Sequence, residues 1–391
     1  MRKINAEIVA DSISPQGHRI TSFVLTYPRF IHSELMTHRL FSRNSASSRA
    51  IPLEKMVKMV EEDPFIPIAW QKDHKGMQGT EYLNEEEVER AELQWIQASK
   101  NAINSARMLN SNYFGVTKNL VTKQLCNRLL EPFMWHTVLV TATEWDNFFE
   151  LRCPSYDGFS KNGEKVSFRS KKDVRKHFEE LKLNTDLVDN QSFKSWQSIN
   201  TSQAEIHIQA LAEAMWDARN ESTPTKLEPG DWHIPFGARI NSGVYEAAGY
   251  TESDPDFADF SSNQLSKLGL KLVLKVATAR CARLSYMTFD GEIDYEKDIK
   301  LHDQLLESRH MSPFEHCARV MDEKEYYSFV KGTIPTQIDE YGITNLEIMP
   351  FSSGHPIVGF TGLNPTNGDK YGWCNNFRGF VQYRYLIENE K

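Results

Sequence analysis

The chain contains no C-x-x-C pair. Its five cysteines, Cys126, Cys153, Cys281, Cys317 and Cys374, are scattered and odd in number. That argues against a disulfide framework and against a thiolate zinc site, and it fits a reducing compartment. No apolar run approaches the length needed to span a bilayer. The opening stretch, MRKINAEIVADSIS, has no apolar core of a secretory signal. A soluble, cytoplasmic protein that binds no membrane is therefore expected. Positive charge is not in excess either. The formal net charge is −8, which disfavours a nucleic-acid binder but leaves room for a local cationic pocket. Three familiar signatures are missing: a G-x-G-x-x-G with its downstream acid, a P-loop, and a G-x-S-x-G elbow. No low-complexity tract or short-period repeat is present.

What is present is ordinary globular material. Hydrophobic residues make up 40% and charged residues 25% of 391 positions, enough for a sizeable core without metal or disulfide support. At roughly 150 residues per domain, one large or two ordinary domains are expected. The stretch Arg19 to Tyr27 is rich in β-branched and aromatic residues and predicts a strand. Pro28 then suits the first turn of a helix, with Phe30, Ile31, Leu35 and Met36 on its apolar face. Asn84 to Leu109 predicts a long helix, because Val88, Ala91, Trp95, Ala98, Ala102, Ala106 and Leu109 recur at three- and four-residue steps. Thr117 to Leu130 predicts another helix, Trp135 to Ala142 a strand, and Thr143 to Arg152 a helix ended by Pro154. The following polar segment, 154–200, predicts an insertion with one solvated helix. A helix from Ser202, a Pro/Gly-rich linker, and helices over Ser262–Ser285 and Lys297–Ser308 follow. After a Gly354–Gly372 loop, NNFRGFVQYRYLI predicts a strand–helix unit. The expected fold class is α+β, a mixed or antiparallel sheet against long helices. Its expected divisions are 1–220, a 221–261 linker, and 262–391.

Four segments could carry chemistry. Thr37 to Arg49 crowds Arg39, Arg43 and Arg49 with Ser42, Ser45, Ser47 and Ser48. Guanidinium forks match phosphate oxygens, and small hydroxyl side chains let a phosphate approach the backbone. A solvated, Ser-rich loop would look the same. In TEWDNFFELR, Trp145, Phe149 and Arg152 share a helical face. That arginine either meets an aromatic ligand or simply answers the helix dipole. Ser312, Pro313 and Glu315 fit N-cap, N1 and N3 of a capping box. His310 and His316 are too far apart for a helical metal pair, so no metal is expected. In SQAEIHIQALAEAM, Ile208, Leu211 and Met215 form a core stripe, while Gln203 and Glu205 could reach a cofactor or merely face water. Cys153 lacks a paired base and reads as an ordinary cysteine.

Together these segments resemble the flavin-dependent thymidylate synthases. The family's loop of Arg-His-Arg, Ser, Asn-Glu, Ser and Arg is matched by Thr37-His38-Arg39, Ser42, Asn44-Ser45, Ser47 and Arg49. Its Asn and Leu-Arg helix is matched by Asn147 and Leu151-Arg152, and its Ala-Gln-x-Glu-Ile by Ser202 to Ile206. Arg128, with Pro132, matches an arginine that contacts substrate phosphate. Arg280-Cys281-Ala282-Arg283 and His310 to His316 match two further pieces. Those last two precede the loop in the family and follow it here, so the chain looks circularly permuted. Thr37 and Ser45 replace Arg and Glu, Glu34 stands where Gln is usual, and a long segment separates Arg152 from Gln203.

The resemblance implies C5 methylation of dUMP to dTMP with methylenetetrahydrofolate, FAD and NADPH, in a homotetramer. It implies Arg152 as the catalytic residue. Glu34, Ser45, Ser47, Arg49 and Arg128 would bind the pyrimidine deoxynucleotide, and His38, Arg39, Asn147, Gln203 and Ser312 the flavin. The altered loop also keeps open a dCMP methylase or hydroxymethylase, or a non-catalytic nucleotide-binding homologue.

Overall fold

The computed structural model describes residues 2–75, 79, 81–111, 121–251, 254, 265–286, 294–331 and 370–389. Its N-terminal half runs β1 (Asn5–Ile13), β2 (Arg19–Pro28), α1 (His32–Met36), β3 (Ser42–Ser45), α2 (Leu53–Glu62), α3 (Glu85–Asn110), α4 (Lys123–Cys126), β4 (Trp135–Ala142) and α5 (Asp146–Arg152). Then come β5 (Tyr156–Phe159), β6 (Lys165–Phe168), α6 (Lys171–Glu180), α7 (Asp186–Asp189), α8 (Phe193–Ser198), α9 (Ile206–Glu221), β7 (Thr225–Lys226) and β8 (Trp232–His233). The remainder is α10 (Gly243–Ala247), α11 (Lys267–Tyr286), α12 (Tyr295–Glu307), β9 (Ala318–Val320), α13 (Glu323–Ser328), β10 (Trp373–Cys374), β11 (Phe377–Arg378), β12 (Phe380–Gln382) and α14 (Tyr383–Asn389). The architecture is α+β with a mixed sheet.

The main sheet has the order β3-β4-β2-β1-β7, antiparallel except where β7 joins β1 in parallel. Alternation in β2 and β4 sends Phe23, Leu25, Tyr27, Val138, Val140 and Ala142 to one face. There they pack on Trp145, which precedes α5, on Phe148 and Phe149 of α5, and on Ile208, Leu211 and Met215 of α9. The other face carries Val24 and Leu139 against Cys281 and Leu284 of α11. Both faces are covered, so both strands read as near-continuous apolar runs.

A small sheet, β12-β9-β8, also lies over this second face, and hydroxyls and imidazoles line the junction. Ser22 and Thr141 are cross-strand partners whose hydroxyls meet at 2.5 Å. Ser22 Oγ also pairs with His233 Nε2 at 2.9 Å, and His233 Nδ1 with Ser12 Oγ at 3.0 Å. Thr141 Oγ1 pairs with His316 Nδ1 at 2.8 Å. All five residues are buried.

Several expectations are corrected here. The helix after Pro28 begins as a 3-10 turn, and only Ile31 and Leu35 of its apolar set are buried, with Phe30 and Met36 exposed. α3 is capped by Asn84 and Glu87, but its buried line is Ser99, Ile103 and Ala106, and Leu109 is exposed. In place of one helix up to Leu130 stand the short α4 and a 3-10 turn, Asn127–Phe133, that includes Pro132. The start of that expected helix, and most of the Gly354–Gly372 loop, lie outside the described residues. The 154–200 insertion is more ordered than its polarity suggested. Its β5–β6 hairpin and three helices bury Tyr156, Val174, Val188 and Trp196 in a core of their own. The linker contributes β7 and β8 to the two sheets, and NNFRGFVQYRYLI forms the expected strand–helix unit.

Candidate functional site

The polar residues concentrate where β2 runs into α1. Tyr27 and His136 are cross-strand partners in β2 and β4. Tyr27 Oη pairs with His32 Nδ1 at 2.7 Å, and the His32 ring stands edge-on to that of His136, 4.6 Å between centroids. Arg29 Nη1 donates to His136 Nε2 at 2.6 Å. That bond fixes His136 as a neutral ring whose proton sits on Nδ1. Burial, with Arg29 behind it, holds His136 well below the usual histidine range. His32 is pushed down to about 4 by burial, then by Arg29 and Arg43.

One turn on, Arg152 closes the cluster. It ends α5, where a cation suits the helix dipole. Its Nη1 meets Glu34 Oε2 at 3.4 Å, its Nε donates to His38 Nε2 at 3.2 Å, and its Nη2 donates to Thr37 Oγ1 at 3.4 Å. His38 is therefore neutral too, pushed down to about 4 by burial and then by Arg152 and Arg43. Arg152 does not close the aromatic stripe as expected. Trp145 and Phe149 point into the core, whereas Arg152 turns to α1. Arg43 Nη1 donates to the Leu35 and His38 carbonyls, both at 3.2 Å, and ties the end of α1 to β3.

Glu34 sits between opposing charges. Burial raises its carboxyl above the ordinary value, Glu205 raises it further, and Arg152 pulls it down. Glu205 caps α9, accepting from the His207 and Ile208 amides at 2.8 and 3.1 Å. His207 Nδ1 meets Glu205 Oε1 at 2.5 Å, and His207 Nε2 accepts from the Ile68 amide at 3.0 Å. Both ring nitrogens of His207 are thus engaged within the fold.

The C-terminal pieces meet this region at β3. Asn44 Nδ2 donates to the Cys281 carbonyl of α11 at 3.4 Å. Ser312 hydrogen-bonds Asn44 Oδ1, and its Oγ also lies 3.4 Å from the Arg43 carbonyl. Ser312 is thus not the expected N-cap. It lies inside a 3-10 turn, Ser312–Glu315, that Met311 precedes, and its hydroxyl is spent on β3. Ser42 to Ser45, expected within a loop, form a strand paired with β4.

The remaining residues of the expected set divide into two groups. After β3, the loop bearing Ser47 and Arg49 is strapped to the turn bearing Arg128. Asn127 Nδ2 donates to the Ser48 and Ile51 carbonyls at 2.6 and 3.0 Å, and Ser48 Oγ donates to Glu131 at 3.2 Å. Arg49 and Arg128 are both exposed on these facing segments. Arg39, Asn147 and Gln203 are exposed and, among the described residues, join no contact of the Arg152 cluster, while Gln203 Nε2 donates to the Thr201 carbonyl at 3.3 Å. Tyr27, Arg29, His32 and His136 were missed, because only strand register brings His136 to Tyr27. Cys153 is buried and its thiol pushed far up, so it stays protonated. Among the described residues no cluster of three or more His, Cys, Asp and Glu could hold a metal, and no helix is long and apolar enough to cross a membrane.

No family model matches the chain, and no curated protein matches it. Among solved structures, similarity is found to the UMP/dUMP methylase PolB from Streptomyces cacaoi. With 5-Br dUMP bound, that structure shares 16% identity over 35% of this chain and 55% of its own, with a TM-score of 0.28. With 5-Br UMP bound, the figures are 14%, 56%, 89% and 0.35. The chain thus spans about half the length of the first of these. A likeness at this level assigns no chemistry.

Proposed function

We propose that the chain is a flavin-dependent C5 methylase of a pyrimidine deoxynucleotide, taking dUMP to dTMP with methylenetetrahydrofolate and NADPH. The observation that carries this reading is the joining of Glu34, His38 and Arg152, from two separate motif segments, in one half-buried cluster. The docking of Ser312 on β3 adds a third segment. The flavin fits the donors left over. Arg39 and Asn147 are exposed, their side chains make no hydrogen bond or ion pair with described residues, and they offer N–H groups to an acceptor-rich ring and its phosphates. When bound, the cofactors supply the hydride and the one-carbon unit.

The chain's own work is orientation and charge. C5 of uracil becomes nucleophilic as negative charge at N3 and O4 is stabilised, and in this reading Arg152 supplies the cation that does it. When bound, methylenetetrahydrofolate would give up its methylene carbon to C5 with both of its bonds to folate nitrogen broken, those nitrogens would take up protons, one of them equivalent to the proton C5 loses, and the reduced flavin would supply the hydride that completes the methyl group. Ser45, Ser47, Arg49 and Arg128 line the loop side, where guanidinium groups suit the nucleotide phosphate.

A second reading rests on Glu34. A carboxylate there only accepts, unlike the amide it replaces, and so favours a ring bearing an amino group, dCMP. The test is direct. The purified protein should be yellow, bleach with NADPH, and convert one of the two nucleotides to a C5-methylated or hydroxymethylated product seen by mass spectrometry. Exclusive use of dUMP rejects the cytosine reading. A colourless protein that binds nucleotide without turnover rejects catalysis. Gel filtration at the mass of four chains would support the tetramer.

A further inference from the structure

We propose that the cavity between the end of α12, the Ser312 turn and α14 binds a phosphate group, held by Arg309 and Arg384. This cavity of about 560 Å³ is lined by Leu306, Arg309, Met311, Ser312, Arg384, Ile387 and Glu388, within the size range of small-ligand pockets.

The first pointer is backbone strain. α12 ends in a Schellman motif, with Arg309 N bonded to the Leu306 carbonyl at 3.1 Å and His310 N to the Leu305 carbonyl at 2.9 Å. The residue at its C′ position must be left-handed, and Arg309 has φ 56°. Glycine is the residue for that place, since a Cβ there is strained. Arg309 returns nothing for it within the fold: it is exposed, and its guanidinium makes no hydrogen bond or ion pair with any described residue. What sets Arg309 apart from other left-handed helix ends is its place on the wall of this cavity, where its uncommitted guanidinium faces a second arginine's element.

The second pointer is Arg384. Its Nη1 donates to Glu315 at 2.7 Å and its Nε to Glu388 at 2.9 Å. Two of five N–H donors are used; the guanidinium is anchored with Nη2 to spare. Two arginines approaching from two elements suit the spread oxygens of a phosphate, and Leu306, Met311 and Ile387 offer an apolar wall to whatever bears it. The inference stands apart from the methylation chemistry, although Ser312 belongs to both.

Thermal melts and calorimetric titrations, with no pyrimidine nucleotide or folate present, test it. The probes are inorganic phosphate, pyrophosphate and ADP. At least one should raise the melting temperature of the unaltered chain. Tighter binding of ADP than of phosphate would identify a nucleotide, and equal binding the free ion. Arg309→Gly should melt at the same or a higher temperature while binding the probe at least tenfold more weakly, and Arg384→Gln should weaken it similarly. Lys182→Gly is the control. Lys182 has φ 56° after α6 and is likewise exposed, but it is not among the residues lining this cavity. It should leave probe binding unchanged. The proposal fails if Arg309→Gly lowers the melting temperature, if it keeps full affinity, or if no probe binds.

Discussion

Arg152 shows what single residues could and could not reveal. Its place in a Leu-Arg pair at a helix end is visible in sequence, and so is the neighbouring Cys153. Its partners are not, because Glu34 and His38 lie far upstream and α1 must dock before they meet. Arg152→Ala should lower turnover about 100-fold or more, the usual loss when one preorganised charge is removed. The side chain is 22% exposed and its neighbours are polar, so circular dichroism and melting should barely change. Normal turnover in that variant would remove Arg152 from the chemistry. Asp298 offers the opposite case, a charge that matters for stability. It pairs with Arg283 at 2.6 Å and Arg280 at 3.5 Å, and Arg280 is 2% exposed. Asp298→Ala would strand a buried guanidinium, which typically costs about 3–5 kcal/mol. Urea unfolding should show that loss, and a change below about 1 kcal/mol would mean the Arg239 carbonyl, 3.3 Å from Arg280, suffices as partner.

Elements with a clear period were legible, and those built on register were not. β2 follows from its run of β-branched and aromatic residues, β4 from a similar apolar run, and α3 from three- and four-residue steps. β3, Ser-Arg-Asn-Ser, carries no such pattern: Ser42 and Asn44 are buried through hydrogen bonds instead of apolar surface. The insertion was half legible, since its single charged helix stood out while its small core did not. Its docking on α9 is ionic and aromatic. Lys172 meets Glu221 at 2.6 Å, Trp216 Nε1 donates to Asp173 at 2.7 Å, and the Arg169 guanidinium lies 4.9 Å from the Trp216 ring. Asp217 lies in that junction, raised to about 6 by burial and by Glu213 and Asp173, against Ser170 and Lys172. A carboxyl raised in the folded state binds its proton more tightly there than when unfolded, so stability falls as pH climbs from about 4 through about 6. Asp217→Asn should erase that slope and leave the variant more stable at pH 7. After discounting for its partial exposure, the gain is about 1 kcal/mol. Parallel melting curves for the two proteins between pH 4 and 7 would rule this out.

At the scale of the molecule, neutral histidines dominate the response to acid. His233 and His316 are pushed down to about 3 by burial, and His32 and His38 to about 4. Each keeps its proton off when folded and takes it up when unfolded, so stability is full above about pH 6.5 and is lost as pH falls toward those lower values. Each such group removes roughly 1.4 kcal/mol per pH unit within its window. Denaturant midpoints should therefore drop steeply from pH 6.5 to 4.5, and His233→Gln with His316→Gln should flatten the fall. An unchanged slope would show that other groups govern acid unfolding. The order of expected strands and helices foretold an α+β body, but not that the two sheets meet through Ser12, His233, Ser22, Thr141 and His316. The pairing of β9 with β12 has a consequence for biosynthesis. Residues 318–320 leave the ribosome some sixty positions ahead of their partners at 380–382. In that interval the imidazole-bearing seam has only part of its cover, and a nascent chain stalled there would be a natural client for chaperones.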